Sequence, residues 1–130
     1  MDSSLDTSTQ RPTVTIDIFS DVVCPWCYIG KRRFEAGLAE ATKDGDLGVD
    51  FDITFKPYQL DPTAAPGVAG PVFDASAKKF GGPDKAEQLI GHVSRTAAED
   101  GLEFHMDRAL RAHTLRAHRR LWWADPPGAP

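Results

Sequence analysis

SDVVCPWCYIGKRRF, residues Ser20 to Phe34, holds both cysteines of the chain, Cys24 and Cys27, with Pro25 and Trp26 between them. Upstream, Val14, Ile16 and Ile18 alternate with Thr15 and Asp17, and Phe19 extends the run, the pattern of a half-buried strand. Downstream, Cys27, Phe34, Leu38 and Ala41 recur near helical spacing. Pro25 suits a first helical turn, where its missing N–H would have had no partner. The cysteines therefore sit where a strand gives way to a helix. Free backbone N–H groups and the helix dipole favour an anion at that position. For a cysteine the anion is the thiolate, its reactive form.

Thiol–disulfide chemistry follows from that placement. Cys24, nearer the helix start, is the expected nucleophile, with a pKa below the free value of roughly 8.5. Cys27, one turn in, is the expected resolving thiol. Pro25 and Trp26 are the dipeptide that tunes the reduction potential through the stability of the reduced form.

The helix predicted from Pro25 ends near Thr42, before Lys43-Asp44-Gly45. Phe51, Ile53 and Phe55 then alternate with Asp52, Thr54 and Lys56 as a second strand, stopped by Pro57. Strand, helix and strand in this length predict a βαβ unit with parallel strands. The cysteines then lie at the carboxyl end of the first strand, the ligand-binding edge of open α/β sheets.

Tyr58 to Val72 is spaced by Pro, Gly and Ala and reads as a loop. A short helix is expected from Asp74 to Phe80, closed by Gly81-Gly82. Pro83 opens a longer one with Ala86, Leu89, Ile90, Val93 and Ala97 on one face, and Gly101 is its expected C′ glycine with Leu102 packing back. A third helix is expected from about Asp107, with Met106, Leu110, Ala117 and Leu121 in one stripe. Leu115 and Trp122 form a second stripe, with His118 between the two.

The composition is that of one globular domain: 130 residues, 41% hydrophobic, 26% charged and a formal net charge of -4. That charge argues against nucleic acid as a partner, and no apolar run has the length of a membrane span. The opening MDSSLDTSTQRP lacks an apolar segment and does not read as a secretory signal, so the expected compartment is the cytoplasm. A structural disulfide is then not expected, which leaves redox or metal chemistry for the pair. The domain reading is a disordered lead-in over 1–12, a βαβ unit over 13–62, a helical part over 63–124 and an irregular tail over 125–130.

Plainer readings stand beside these. Two cysteines can simply pack, since free Cys is often buried. A structural zinc site needs about four ligands. Only His92, His105, His113 and His118 could join the cysteines, and His113 and His118 share no helix face, so no metal is expected. The arginines from Arg108 to Arg120 read as a solvated face. His118 reads as a satisfied core histidine, and it is also carried, with Tyr28, as a candidate lining residue of a substrate pocket.

VTIDIFSDVVCPWCYIGKRRFE, FKPYQLDP (Phe55 to Pro62) and GLEFHMDRALRAHTLRAHRRLWWA (Gly101 to Ala124) together resemble the DsbA-like thioredoxin-fold oxidoreductases. The branch they resemble is the FrnE-like one, described as polyketide-biosynthesis dithiol–disulfide isomerases. The resemblance implies an α/β, thioredoxin-like domain interrupted by a helical insertion, with the motif cysteines at Cys24 and Cys27. It implies dithiol or disulfide substrates, protein or small molecule, and no organic cofactor, with glutathione as a conceivable co-substrate. Kappa-class glutathione transferases and 2-hydroxychromene-2-carboxylate isomerases resemble the chain in fold but carry serine at the place of Cys24. A glutathione-dependent isomerase or transferase is therefore a further, weaker alternative.

The sequence departs from that family at His113, where relatives commonly have Asn, and in its ending. The resemblance implies that the fold's C-terminal half, with a cis-proline loop facing the cysteines, follows the insertion. This sequence ends in DPPGAP within the helical part. The expectation is a truncated domain whose uncovered sheet edge favours self-association. The competing functional reading is an impaired fragment that acts at most as an association or binding module.

Overall fold

The structure, a computed structural model, describes residues 11–67 and 69–124. Most of the expected lead-in and all of the expected 125–130 tail lie outside the described residues. Arg11 and Pro12, expected in the lead-in, are structured. Arg11 pairs with Asp46 and Asp50 and donates to the Val49 carbonyl at 2.9 Å, while the Pro12 carbonyl accepts from the Asp50 amide at 2.9 Å.

Strand β1 (Thr13–Ser20) and strand β2 (Asp50–Pro57) pair in parallel, joined by helix α1 (Pro25–Thr42). The register sets Val14 beside Phe51, Ile16 beside Ile53 and Ile18 beside Phe55. Because side chains alternate along a strand, those six residues share one face. Helix α1 covers that side, with Phe34 and Leu38 half-buried and the Lys31 ammonium 5.8 Å from the Phe55 ring. The other face is mostly polar and carries the Lys56–Asp17 pair at 3.2 Å. The βαβ unit is as the alternation and the proline predict.

Beyond the sheet come β3 (Ala69–Pro71), α2 (Val72–Phe80), α3 (Pro83–Glu99), β4 (Leu110–Ala112) and α4 (Leu115–Ala124). Two expectations are corrected here. Tyr58 to Val72 is not all loop, and the third helix does not begin near Asp107. Ala69 to Pro71 pairs antiparallel with Leu110 to Ala112, and the Val72 amide donates to the Ala109 carbonyl at 3.0 Å. That pairing takes the backbone groups a helix from Asp107 would need, so α4 starts only after Thr114. Leu110, assigned to a buried stripe, is 61% exposed.

Helix α3 ends in a Schellman motif. The Gly101 amide donates to Ala98 and the Leu102 amide to Ala97, with Gly101 at φ +75°. Leu102 is thereby turned back onto the core. That core is Ile29 of α1 against Val93 and Ala97 of α3, with Leu102, Phe104 and Met106 packed on it. Ile29 follows Cys27 by two residues in α1, so this core anchors the helix that carries the cysteines.

Candidate functional site

Cys24 is the N-cap residue of α1, with extended backbone and Pro25 in the first turn. Its Sγ accepts a hydrogen bond from the Cys27 amide at 3.3 Å, and its own amide donates to the Asp21 carbonyl at 3.2 Å. Both cysteines are free thiols and half-buried. The spacing read from the sequence therefore brings Cys24 and Cys27 to one helical turn, the geometry a thiolate–disulfide cycle uses.

The thiol's titration differs from expectation. Burial pushes the Cys24 thiol up, the neighbouring Cys27 thiol adds to that, and the amides of Cys27 and Trp26 only partly offset it. A cap position alone does not depress a thiol when apolar neighbours remove its solvent. Nearby cations that would do so are absent from its immediate hydrogen-bond partners.

Cys24 and Pro25 separate two cavities. One, of about 420 Å³, is walled by Val22, Tyr28, Phe104, Met106 and Leu110, with Glu103 and His105 at its edge. The other, of about 250 Å³, runs past Trp26 toward Phe80, Leu89 and Ile90. Tyr28 stands on the first, its ring 6.0 Å from Phe104. Trp26 is 46% exposed with its ring 5.5 Å from His92.

His118 stands apart from Tyr28 and lines neither cavity. It is buried against Asp21, and its Nε2 donates to Asp21 Oδ1 at 3.0 Å. Its place is that of a satisfied core histidine. Asp21 itself is a residue the sequence reading passed over. Its Oδ1 also accepts from the Val22 amide at 2.8 Å, and its Oδ2 accepts from the Leu60 amide at 2.9 Å. Burial would raise its pKa, but donors from the Leu60 amide, Thr114, His118 and the Val22 amide together hold it below the usual carboxylate range. One carboxylate thus ties the loop before Cys24, the loop after β2 and helix α4 together. The only sequence signal was an acid at the end of an apolar strand, and its partner lies 97 positions away.

No group of three or more His, Cys, Asp or Glu side chains placed to hold a metal ion occurs among the described residues. No helix among them is long and apolar enough to cross a membrane.

Residues 15–128 match the DSBA-like thioredoxin domain family. A stretch of 64 residues is 41% identical to the uncharacterized protein YwbO of Bacillus subtilis (strain 168), covering 49% of this chain and 28% of that protein. The fold superimposes on the crystal structure of a probable DsbA oxidoreductase from Streptomyces coelicolor with a TM-score of 0.70 and 34% identity. That match covers 83% of this chain and 45% of the other. The chain spans less than half the length of either protein.

Proposed function

This chain belongs to the DSBA-like thioredoxin domain family, and we propose that it is a thiol–disulfide oxidoreductase or isomerase working through the Cys24/Cys27 couple. The observation that carries the reading is Cys24 as N-cap of α1, its Sγ held by the Cys27 amide at 3.3 Å on the wall of two cavities. In the reducing direction, the Cys24 thiolate attacks one sulfur of a substrate disulfide, forming a mixed disulfide and releasing the other sulfur as a thiolate. The Cys27 thiolate then attacks Cys24 Sγ, forming the Cys24–Cys27 disulfide and releasing the second substrate thiol. Two electrons pass to the substrate, and the reverse sequence oxidises a dithiol. No organic cofactor enters this cycle. In this reading Pro25 and Trp26 tune the couple, Tyr28 lines the substrate side, and the chain works as the FrnE-like branch does.

Insulin-disulfide reduction tests the proposal. Cys24→Ser is expected to abolish turnover, while Cys27→Ser is expected to accumulate a mixed disulfide visible by mass spectrometry. Turnover by Cys24→Ser at the wild-type rate refutes the assignment.

A second reading has one observation behind it. Among the described residues the parallel sheet has only β1 and β2, so each strand keeps an unpaired outer edge. Self-association through those edges predicts a molar mass that rises with concentration in light scattering. A constant monomer mass rules it out.

A further inference from the structure

Asp21, Val22, Val23 and Cys24 make a turn, closed by the Cys24 amide on the Asp21 carbonyl at 3.2 Å. The Asp21 side chain fixes the same turn a second time. Its Oδ1 accepts from the Val22 amide at 2.8 Å and its Oδ2 from the Leu60 amide at 2.9 Å. Backbone and side chain of one residue therefore set the path by which the chain enters Cys24. That path leaves Cys24 at φ -94° and ψ 111°, the extended cap conformation from which Sγ meets the Cys27 amide.

The remaining donors to this carboxylate come from α4. Thr114 stands just before the helix and His118 in its first turn, and a spacing of four puts both on one side. Both donate to Asp21, and the His118 amide donates to the Thr114 carbonyl at 3.0 Å. Asp21, Thr114 and His118 are all buried. A buried carboxylate–imidazole pair is a weak source of stability, because desolvating both groups offsets their attraction and apolar packing often serves as well. What a satisfied polar network adds is a rigid, single arrangement. Here that rigidity is applied to the turn that ends in the reactive cysteine.

We propose that His118 is a positioning residue for the Cys24 thiolate, acting through the Asp21 carboxylate and the turn from Asp21 to Cys24. The proposal rests on the redox reading of Cys24 and Cys27. The Cys27 amide stabilises a sulfur anion more than a neutral thiol, because hydrogen bonds to charged acceptors are the stronger ones. It does so only while Sγ stays in line with the amide. Without the imidazole, Asp21 Oδ1 keeps only the Val22 amide and Thr114, and the carboxylate is freer to rotate. The turn then holds Cys24 less firmly, and Sγ spends less time at the cap. Burial works against the Cys24 anion and the Cys27 amide works for it, so weakening that bond lowers the thiolate population. In this role the imidazole acts on the turn and not on the sulfur.

The test follows alkylation of Cys24 by iodoacetamide against pH, in a Cys27→Ser background that leaves one thiol and keeps the residue 27 amide. His118→Phe retains an aromatic ring without an N–H. It is expected to raise the midpoint by about 0.7 pH unit, about a fivefold smaller thiolate fraction at pH 7. His118→Gln supplies an N–H donor again and is expected to recover most of that shift. Thr114→Val removes the other α4 donor, is expected to give a smaller rise, and guards against misfolding of the Phe variant. Ile53→Ala, on the sheet face that α1 covers, is the control: it lowers stability in urea and is expected to leave the midpoint unmoved. An unmoved midpoint in both His118→Phe and Thr114→Val overturns the proposal. So does a rise in Ile53→Ala as large as that in His118→Phe, or a Gln variant no better than Phe, since either assigns the effect to general loosening. Insulin reduction by the chain with both cysteines separates this role from the reading beneath it. A wild-type chain without turnover removes the redox reading and this role with it, whereas turnover with an unmoved midpoint removes this role alone.

Discussion

Replacing Asp21 with Asn exchanges one oxygen of a carboxylate that is 1% exposed for an NH2 group. The remaining oxygen can still accept from His118 Nε2 and the Val22 amide, now 3.0 and 2.8 Å away. The NH2 then meets the Leu60 amide, a donor against a donor where a bond of 2.9 Å stood. Losing a bond to a charged acceptor and stranding a buried donor costs about 2 kcal/mol. Asp21→Ala strands all four donors at once, each buried donor left unsatisfied costing about 1–3 kcal/mol, so it should cost more than the Asn change. The control, Asp17→Asn, removes an exposed pair with Lys56 and should cost less than about 1 kcal/mol. Urea denaturation followed by tryptophan fluorescence at pH 7 measures all three. In the Ala variant, His118→Ala should cost less than it does in wild type, because its partner has already gone.

The pH dependence carries a sign. Asp21's carboxyl is depressed in the folded state, so its contribution is complete above the unfolded value of about 3.9 and is lost as pH falls through the lower folded value. The wild type should therefore shed part of its stability below about pH 4, and Asp21→Asn should lack that component. An Asp21→Ala variant as stable as Asp17→Asn would refute the account of Asp21 as the tie between these segments.

Three further outcomes are expected. Alkylation of Cys24 by iodoacetamide should reach its half-maximal rate above the free-cysteine pKa of about 8.5, since burial raises the thiol; a midpoint near neutrality contradicts this. Ile29→Ala opens the core at a side chain 2% exposed and should cost about 2–5 kcal/mol in a urea titration, with a cost below about 1 kcal/mol counting against the core described. Gly81 caps α2 at φ +99° with nothing within 4 Å of an added Cβ. Gly81→Ala should therefore cost about 1 kcal/mol from backbone strain alone, read as a lower Tm.

What could be read from the residues was what local chemistry decides. Pro25 and the strand alternation predicted α1 and the β1–β2 pair closely, because an N1 proline and period-two apolar runs act over a few neighbours. The resemblance to DsbA-like proteins agreed with the fold and the family. Residues 107 to 114 were misread because Met106 and Leu110 are spaced as in a helix, whereas the pairing of Leu110 with Pro71 is a long-range choice. Cys24 and Cys27 announced themselves by spacing, yet the raised thiol did not, because desolvation depends on walls contributed by α2, α3 and β4. Asp21 was invisible as a hub for the same reason: its partners come from distant parts of the chain.

The 97-residue interval between Asp21 and His118 also orders events in time. The βαβ unit can form soon after Pro57 is made, since its contacts are comparatively close in sequence. The His118 donor to the carboxylate that steadies the turn before Cys24 waits for α4, and at about 5–20 residues per second the ribosome needs about 5–20 s to supply it. For that interval the nascent chain carries two thiols on a turn fastened by the Val22 and Leu60 amides and not yet by His118. Its vulnerability to adventitious oxidation is thus greatest during synthesis and falls when α4 docks.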